Sequence, residues 1–499
     1  MKAASTKIIS VVILCMLFFS CDSEPDRSNT ENPDASAKTE IQAAAEETTE
    51  KLYPDFEPRD FEGYEFKIIT SDWVKSSGMF QEIGAEEETG DAVNDAIYKR
   101  NSKIGEKYNV TIKEIRHDRD SLAQPVIKSI SADDDLYDLI CGNIAQSGII
   151  SQRGGLLDLN QVNHLDLQKP WYDRNAASDL SIGNKLYFAV GELQISDNNG
   201  TWCVWFNKDL VQNLGLEDPY KLVRDGKWTM DKCFELASAA NMDLNGDGKM
   251  NEEDQWGMMG ESFNIYALMN GAGTRFIQKD ANDLPYYAGY TSKDMDIFDK
   301  GAEYLGDAKK SILVGTSKNH GSYADPWVDF AHPMFAGNKV LFFFTSLAGV
   351  TYHRSFDTNF GILPIPKYEE ADKNYVSTVS VVMASALSMP VTLSGGSLDR
   401  TAVIAEELSA ESMYVLTPAY YETQLKRKLT RDDESAEMLD IIFENRIYST
   451  AQLYNWGGII STVCGMLTSD NRNFVSSMEK IEDKIKSDIE KTLAVYELG

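Results

Sequence analysis

The chain is short of the residues that most chemistry needs. Among 499 residues there are 5 histidines and 6 cysteines. No two cysteines form a CxxC pair, which argues against zinc-ribbon and thioredoxin-type sites. The HExxH, GxSxG and P-loop motifs are all missing, so the sequence carries no zincin, nucleophile-elbow or nucleotide-phosphate signature. His117, His164, His320, His332 and His353 lie in polar or loop-like settings without ligand spacing, and solvent exposure or local bonding is expected of each. Positive charge is also scarce: 48 Lys and Arg stand against 78 Asp and Glu, a formal charge of −30. Such a surface cannot neutralise a nucleic-acid backbone and disfavours adsorption to anionic lipid. Long apolar runs are absent beyond residues 8–19, and that run is too short to span a bilayer as a mature helix. Carboxylates abound, yet a glycosidase pair is defined by a separation in space that a sequence does not give. No enzyme is expected.

What is present begins with a leader. Lys2 and Lys7 precede the apolar run, which ends Phe18-Phe19-Ser20-Cys21. The small Ser20 before Cys21 resembles a bacterial lipoprotein signal, with residues 1–20 removed and Cys21 lipidated. The two phenylalanines depart from that pattern, and plain secretion is the alternative. The expected location is extracytoplasmic, with the membrane reached only through the N-terminal lipid. Residues 21–55 are acidic, polar and alanine-rich, too poor in large apolar groups to order themselves, and read as a disordered tether. Of the remaining cysteines, Cys141, Cys203, Cys233 and Cys464 are widely spaced. Cys141 and Cys203 sit in apolar strand-like runs and are expected to be buried free thiols, with one disulfide as the alternative.

From Phe56 the pattern is α/β. Residues 64–70 read as a strand, 91–108 as an amphipathic helix, 109–115 as a second strand and 137–141 as a third. Strands alternating with helices at this spacing indicate a parallel sheet. Residues 186–190 continue the strand pattern. Residues 340–344, 360–366 and 375–384 read as further strands, and 474–496 as a final amphipathic helix. Between them, residues 196–210 hold a polar turn with exposed backbone, Asp197-Asn198-Asn199-Gly200, that runs into the buried strand Thr201-Trp202-Cys203-Val204-Trp205-Phe206. This stretch is expected to cross between two lobes, with 375–384 as a second crossing. Alternation points Trp205 away from Val204 and Phe206 and into plain packing.

One spacing is sharp. Asp243, Asn245, Asp247, Asn251 and Asp254 supply oxygens at loop positions 1, 3, 5, 9 and 12 of a calcium loop, with Gly248 at position 6 and the Lys249 carbonyl at 7. Asp254 stands where the pattern has Glu. A single loop of this kind is expected to hold Ca²⁺ as a structural staple.

Aromatics beside polar turns suit stacking on the C–H face of a sugar while amides and carboxylates take its hydroxyls. Trp171, Tyr172, Trp202 and Trp456 are the candidates of this kind.

In order along the chain stand YDLICGN, GGLLDLN, KPWYD, SIGNKLYFAVGEL, TWCVWFNKDL, KWTMDKCFELA, DLNGDGKMNEEDQWG, MFAGNKVLFFF and NFGILPIPK. In this order they resemble extracellular solute-binding protein family 1, the maltose-binding-protein-like lipoproteins of ABC importers. The resemblance implies a two-lobed periplasmic-binding-protein fold of type II with a hinge and interleaved lobes: 56–197 with 378–415, and 198–377 with 416–499. It implies a monomer that captures a carbohydrate, expected to be an oligosaccharide, between the lobes and hands it to a permease. Asn198, Asn199, Gly200, Thr201 and Trp202 fall at its ligand positions, as do Phe344, Thr345, Ser346, Tyr375 and Ser377. Trp171, Tyr172, Asn264, Tyr266 and Trp456 carry over more loosely. The alternatives are a peptide or polyol ligand on the same fold, or a secreted glycan-active enzyme or adhesin.

Overall fold

The computed structural model describes residues 51–73, 79, 81–315, 323–350, 358–421, 433–469 and 471–498. The expected leader, Cys21, most of the tether, His320 and His353 lie outside the described residues. Leu52–Gly499 forms one compact unit.

The first sheet has four strands in the order β12-β3-β1-β2. β1 (Tyr64–Ser71) runs parallel to β2 (Val110–His117) and to β3 (Leu139–Asn143), and β12 (Ser385–Ser388) closes the edge antiparallel to β3. The helix Ala92–Tyr108 makes the crossover from β1 to β2. It starts where the Asp91 side chain accepts from Val93 N and Asn94 N, and it stops at Asn109 in the left-handed region. A strand over 186–190 does not form. That segment touches β12 through a single bridge, Ala189 to Leu387, because the backbone beyond it turns to meet Trp171 and Tyr172, where Glu192 N donates to Trp171 O.

The second sheet has five strands in the order β10-β4-β9-β5-β8. β5 (Trp256–Gly260) is parallel to β8 (Ser311–Leu313) and β9 (Val340–Ser346). β4 (Trp202–Asn207) lies antiparallel between β9 and β10 (Phe360–Leu363). A hairpin of β6 (Ile277–Lys279) and β7 (Pro285–Tyr287) stands apart.

Burial follows the strand period of two. Trp202, Val204 and Phe206 enter one core with Trp228, Phe342 and Phe344. Cys203 and Trp205 enter another with Phe343, Phe335 and the helix residues Val93 and Ile97. Trp205 is packed against Phe360 and Phe343, as alternation requires. A third core fills the first sheet around Phe66, Ile68, Leu139 and Trp171.

The expected strand over 375–384 is broken. Only β11 (Ser377–Thr378) is a strand, pairing in parallel with β13 (Arg446–Ile447). Met383 N and Ala384 N both donate to Ser380 O, so the chain turns before β12 and cannot run on as one strand. Cys141, Cys203, Cys233 and Cys464 are all free. No helix among the described residues is long and apolar enough to cross a membrane.

Candidate functional site

In the first sheet the parallel strands end at Ser71, His117 and Asn143, and in the second at Gly260, Leu313 and Ser346. Ser385, the start of β12, pairs opposite Asn143. Trp202, the start of β4, pairs opposite Ser346. The segments that pass between the sheets therefore leave and enter at the carboxyl edges of both, which is where open α/β sheets bind ligands.

The turn expected to expose its backbone is instead a buried helical turn, Ser196–Asn199. It is buried because every residue in it is tied to a segment far along the chain. Ser196 Oγ accepts from Ser385 N at 2.9 Å. Asp197 Oδ2 meets Arg446 Nη2 at 2.9 Å. Asn198 Oδ1 accepts from Arg446 Nη1 at 2.8 Å, and Asn199 Oδ1 from Tyr420 Oη at 2.7 Å. Ser380 N donates to Gly200 O, Thr201 bridges to Val379, and Leu347 N donates to Thr201 O. An added Cβ at Gly200 would come within 3.1 Å of Met383 Cβ, so the two crossings touch there.

Arg446 is the centre of a buried ion cluster. Its Nε and Nη2 both donate to Asp173 Oδ2, at 2.9 and 2.5 Å, and Tyr448 Oη donates to the same oxygen at 2.9 Å. Burial alone would raise the Asp173 carboxyl, but the Arg446 guanidinium and the Ala176 N–H outweigh it and hold it below its usual value. Burial outweighs Arg446 at Asp197 and raises it. A cavity of about 250 Å³ lies against this cluster, lined by Tyr172, Gly191, Glu192, Asn198 and Phe443 among others. Burial pushes Glu192 up to about 7.

On the second sheet's carboxyl edge stand Glu261, Phe263 and Asn264, directly after β5. Phe263 packs on Trp202 with ring centroids 5.3 Å apart. Asn264 Oδ1 accepts from Glu261 N at 2.5 Å. The Asn264 Nδ2 and Trp202 Nε1 donors are buried without an acceptor among the described residues. Burial pushes the Glu261 carboxyl up to about 7. Glu261 escaped the sequence reading, which stopped at Asn264 and Tyr266. Its signal was an acid immediately after a glycine-ended buried strand. On the first sheet's edge Arg119 lies over the Trp73 ring at 5.9 Å, and Asn143 Nδ2 donates to Arg119 O at 3.1 Å.

The structure thus brings Trp202, Thr345, Ser346 and Asn264 together with Gly200 and Thr201. Other expected site residues lie elsewhere. Phe344 is wholly in the core. Tyr375 donates its hydroxyl to Val223 O, and Ser377 is buried in β11. Tyr266 shares a hydrogen bond with Ser449, and Trp456 Nε1 donates to Thr492 Oγ1 at 2.9 Å. Trp171 is 0% exposed, and Tyr172 donates to Glu406 at 2.7 Å.

The calcium-type loop is folded by its own side chains. Asp243 accepts from Gly246 N and Gly248 N, Asn245 from Asp247 N, Asp247 from Lys249 N, Asn251 from Glu253 N, and Asp254 from Leu244 N and Asn251 N. Gly246 and Gly248 have φ of 73° and 78°. The donors are all oxygen and suit a hard cation in kind. No three His, Cys, Asp or Glu groups converge around a metal position among the described residues.

No protein-family model matches the chain, and no curated protein sequence matches it. Solved structures do. A sugar transporter from Rhizobium etli in an open conformation has TM-score 0.57 and 13% identity, covering 85% of this chain and 100% of that one. An ABC substrate-binding protein from Listeria monocytogenes in complex with cycloalternan has TM-score 0.54 and 11% identity, covering 88% and 100%. An ABC transporter solute-binding protein from Agrobacterium radiobacter in complex with ribitol has TM-score 0.51 and 12% identity, covering 89% and 100%. With its two sheets, their facing carboxyl edges and the crossings between them, the chain has the fold of the two-lobed periplasmic solute-binding proteins.

Proposed function

We propose that the protein is an extracytoplasmic substrate-binding protein that takes a carbohydrate between its lobes and delivers it to an ABC import permease. The observation that carries this reading is the carboxyl edge of the second sheet. There a carboxyl group, an aromatic pair and two buried N–H donors without acceptors among the described residues stand along one edge at the foot of the crossings. Glu261 accepts sugar hydroxyls, Trp202 and Phe263 offer the apolar face, and Asn264 supplies a donor. The knot of hydrogen bonds at Ser196–Asn199 is the pivot about which the lobes close. The work is binding and release, with no bond made or broken.

An oligosaccharide is the first expectation. Cycloalternan in the Listeria relative supports it, while ribitol in the Agrobacterium relative favours a polyol as the second reading. The N-terminal signal is read as a lipoprotein signal, with Cys21 the anchor point and the folded part a monomer. The loop at Asp243, Asn245, Asp247, Lys249, Asn251 and Asp254 is read as a structural Ca²⁺ site.

A thermal-shift screen of the purified protein against oligosaccharides, monosaccharides, polyols and peptides tests the reading. Stabilisation by a sugar or polyol supports it. Stabilisation by peptides alone would remove the carbohydrate assignment.

A further inference from the structure

A cavity of about 340 Å³ lies at the far end of the helix Asn264–Gly271 from the carboxyl edge. At 1.5 Å per residue that helix sets the cavity roughly 12 Å from the candidate ligand site. Its walls come from the turn after that helix, the β6–β7 hairpin, the start of the helix Ser292–Leu305 and the segment that leads into β11.

Four charged side chains decide its chemistry, together with Lys293. Asp294 is spent: Oδ1 accepts from Thr274 Oγ1 at 2.6 Å and Oδ2 from Thr291 N at 2.7 Å, which also caps the helix. Asp372 is spent likewise, with Oδ1 on Lys293 Nζ at 3.1 Å and Oδ2 on Glu369 N at 3.1 Å. Lys293 is neutralised by Asp372 and by Glu369 at 3.5 Å. Arg275 is different. Only its Nη1 is used, donating to Asn270 O at 2.9 Å and Thr274 O at 2.7 Å. Its Nε and Nη2 have no acceptor among the described residues, and no carboxylate there lies within ion-pair distance, Asp179 acting on it only through space. Lys373, exposed and lining the same cavity, likewise has no ion-pair partner among the described residues. The acids of this cavity are therefore consumed while two cations keep free donors. That is unusual on a chain of net charge −30.

We propose that this cavity is a second binding site, for a small oxyanion of the phosphate or carboxylate class, held by the Arg275 fork and closed over by Lys373. A planar guanidinium with two adjacent free donors matches two oxygens of such a group, and a flexible ammonium adds a point charge. The proposal does not depend on what the interlobe site binds. The segment that carries Lys373 and Val376 leads directly into β11, which pairs with β13 beside the Arg446 cluster, so an anion here braces the entry to the second crossing.

The test is thermal denaturation of the full protein in potassium phosphate, sodium acetate and sodium chloride at matched ionic strength, on the wild type and on Lys373→Glu and Arg275→Gln. Excluded salts stabilise any protein generally, so the reading is the difference between wild type and variant. The wild type should gain about 2 °C in phosphate or acetate over chloride, and Lys373→Glu should lose at least half of that gain. A gain in phosphate alone assigns a phosphoryl ligand, and a gain in acetate assigns a carboxylate. Arg275→Gln removes a helix-end contact and lowers stability in every salt, whereas Lys373→Glu touches no structural bond and decides the matter. Equal melting in all three salts, or the same gain in wild type and Lys373→Glu, would overturn the site.

Discussion

Arg446 Nη1 donates to Asn198 Oδ1 at 2.8 Å, while Nη2 of the same guanidinium reaches Asp173 at 2.5 Å and Asp197 at 2.9 Å. One side chain of β13 thus joins the segment before the first crossing to the crossing turn itself. The side chains are 13%, 9% and 5% exposed for Arg446, Asp173 and Asp197, so the charges hold one another in a site with little water. Removing the guanidinium leaves two carboxylates without their cation. Arg446→Met should cost about 3–5 kcal/mol in denaturant unfolding. Asp197→Asn in the Arg446→Met background should recover part of that, because one uncompensated charge is gone. A loss below about 1 kcal/mol for Arg446→Met would mean the cluster is not what holds the crossings together.

Four glutamates, Glu82 and Glu406 buried and Glu192 and Glu261 half-buried, should make the protein lose stability as pH rises. Burial raises Glu192, Glu261 and Glu406 to about 7 and Glu82 to about 8. An acid whose folded pKa lies above its unfolded value binds its proton more tightly in the native state. Its contribution is complete below about pH 4.5 and is lost as pH climbs through the folded value. Melting temperature should therefore fall between pH 5 and 8.5. Glu82→Gln keeps the acceptor for Ile195 N, which Glu82 now bonds at 2.5 Å, and should flatten the upper part of that fall. A variant with the wild-type slope would show that Glu82 is not titrating there.

Two of the three tryptophans singled out in the sequence, Trp171 and Trp202, should separate. Trp171 is 0% exposed in the first core, so Trp171→Ala should cost about 3–5 kcal/mol of stability. Trp202 stands at the carboxyl edge against Phe263, so Trp202→Ala should weaken binding of whichever sugar or polyol stabilises the protein by about tenfold, 1.4 kcal/mol. Unchanged affinity in Trp202→Ala, measured by titration calorimetry, would remove it from the site.

How far the sequence was legible depends on the range of the interaction. Alternation along 202–206 placed Trp205 in packing and Val204 with Phe206 correctly, because a strand's period is local. The parallel β1, β2 and β3 were likewise visible in spacing. What failed to show was decided by partners far along the chain. The Ser196–Asn199 turn looks exposed until Arg446, Tyr420 and Ser385 are brought to it, and 375–384 looks like one strand until Ser380 O takes two N–H groups. Glu261 was missed for the same reason: an acid after a strand is unremarkable until the fold buries its carboxyl at the sheet edge.

Calcium should stabilise the fold if the loop from Asp243 to Asp254 takes it up. The oxygens that now accept backbone N–H bonds would be drawn around the ion. At a hundredfold excess over the dissociation constant the gain is about 2.7 kcal/mol, removed by a chelator and absent in Asp243→Ala. Calorimetry with no heat of binding at millimolar calcium would leave the loop as a turn held only by its own side chains.

On the proposed reading, two lobes joined at Ser196–Asn199 close on a carbohydrate or polyol. Small-angle scattering of the purified protein, alone and saturated with the sugar or polyol that most raises its melting temperature, tests this most directly. Closure gives a smaller radius of gyration with ligand bound, and the same ligand leaves the Glu261→Ala, Trp202→Ala double variant unchanged. A radius of gyration unchanged at saturation would contradict it.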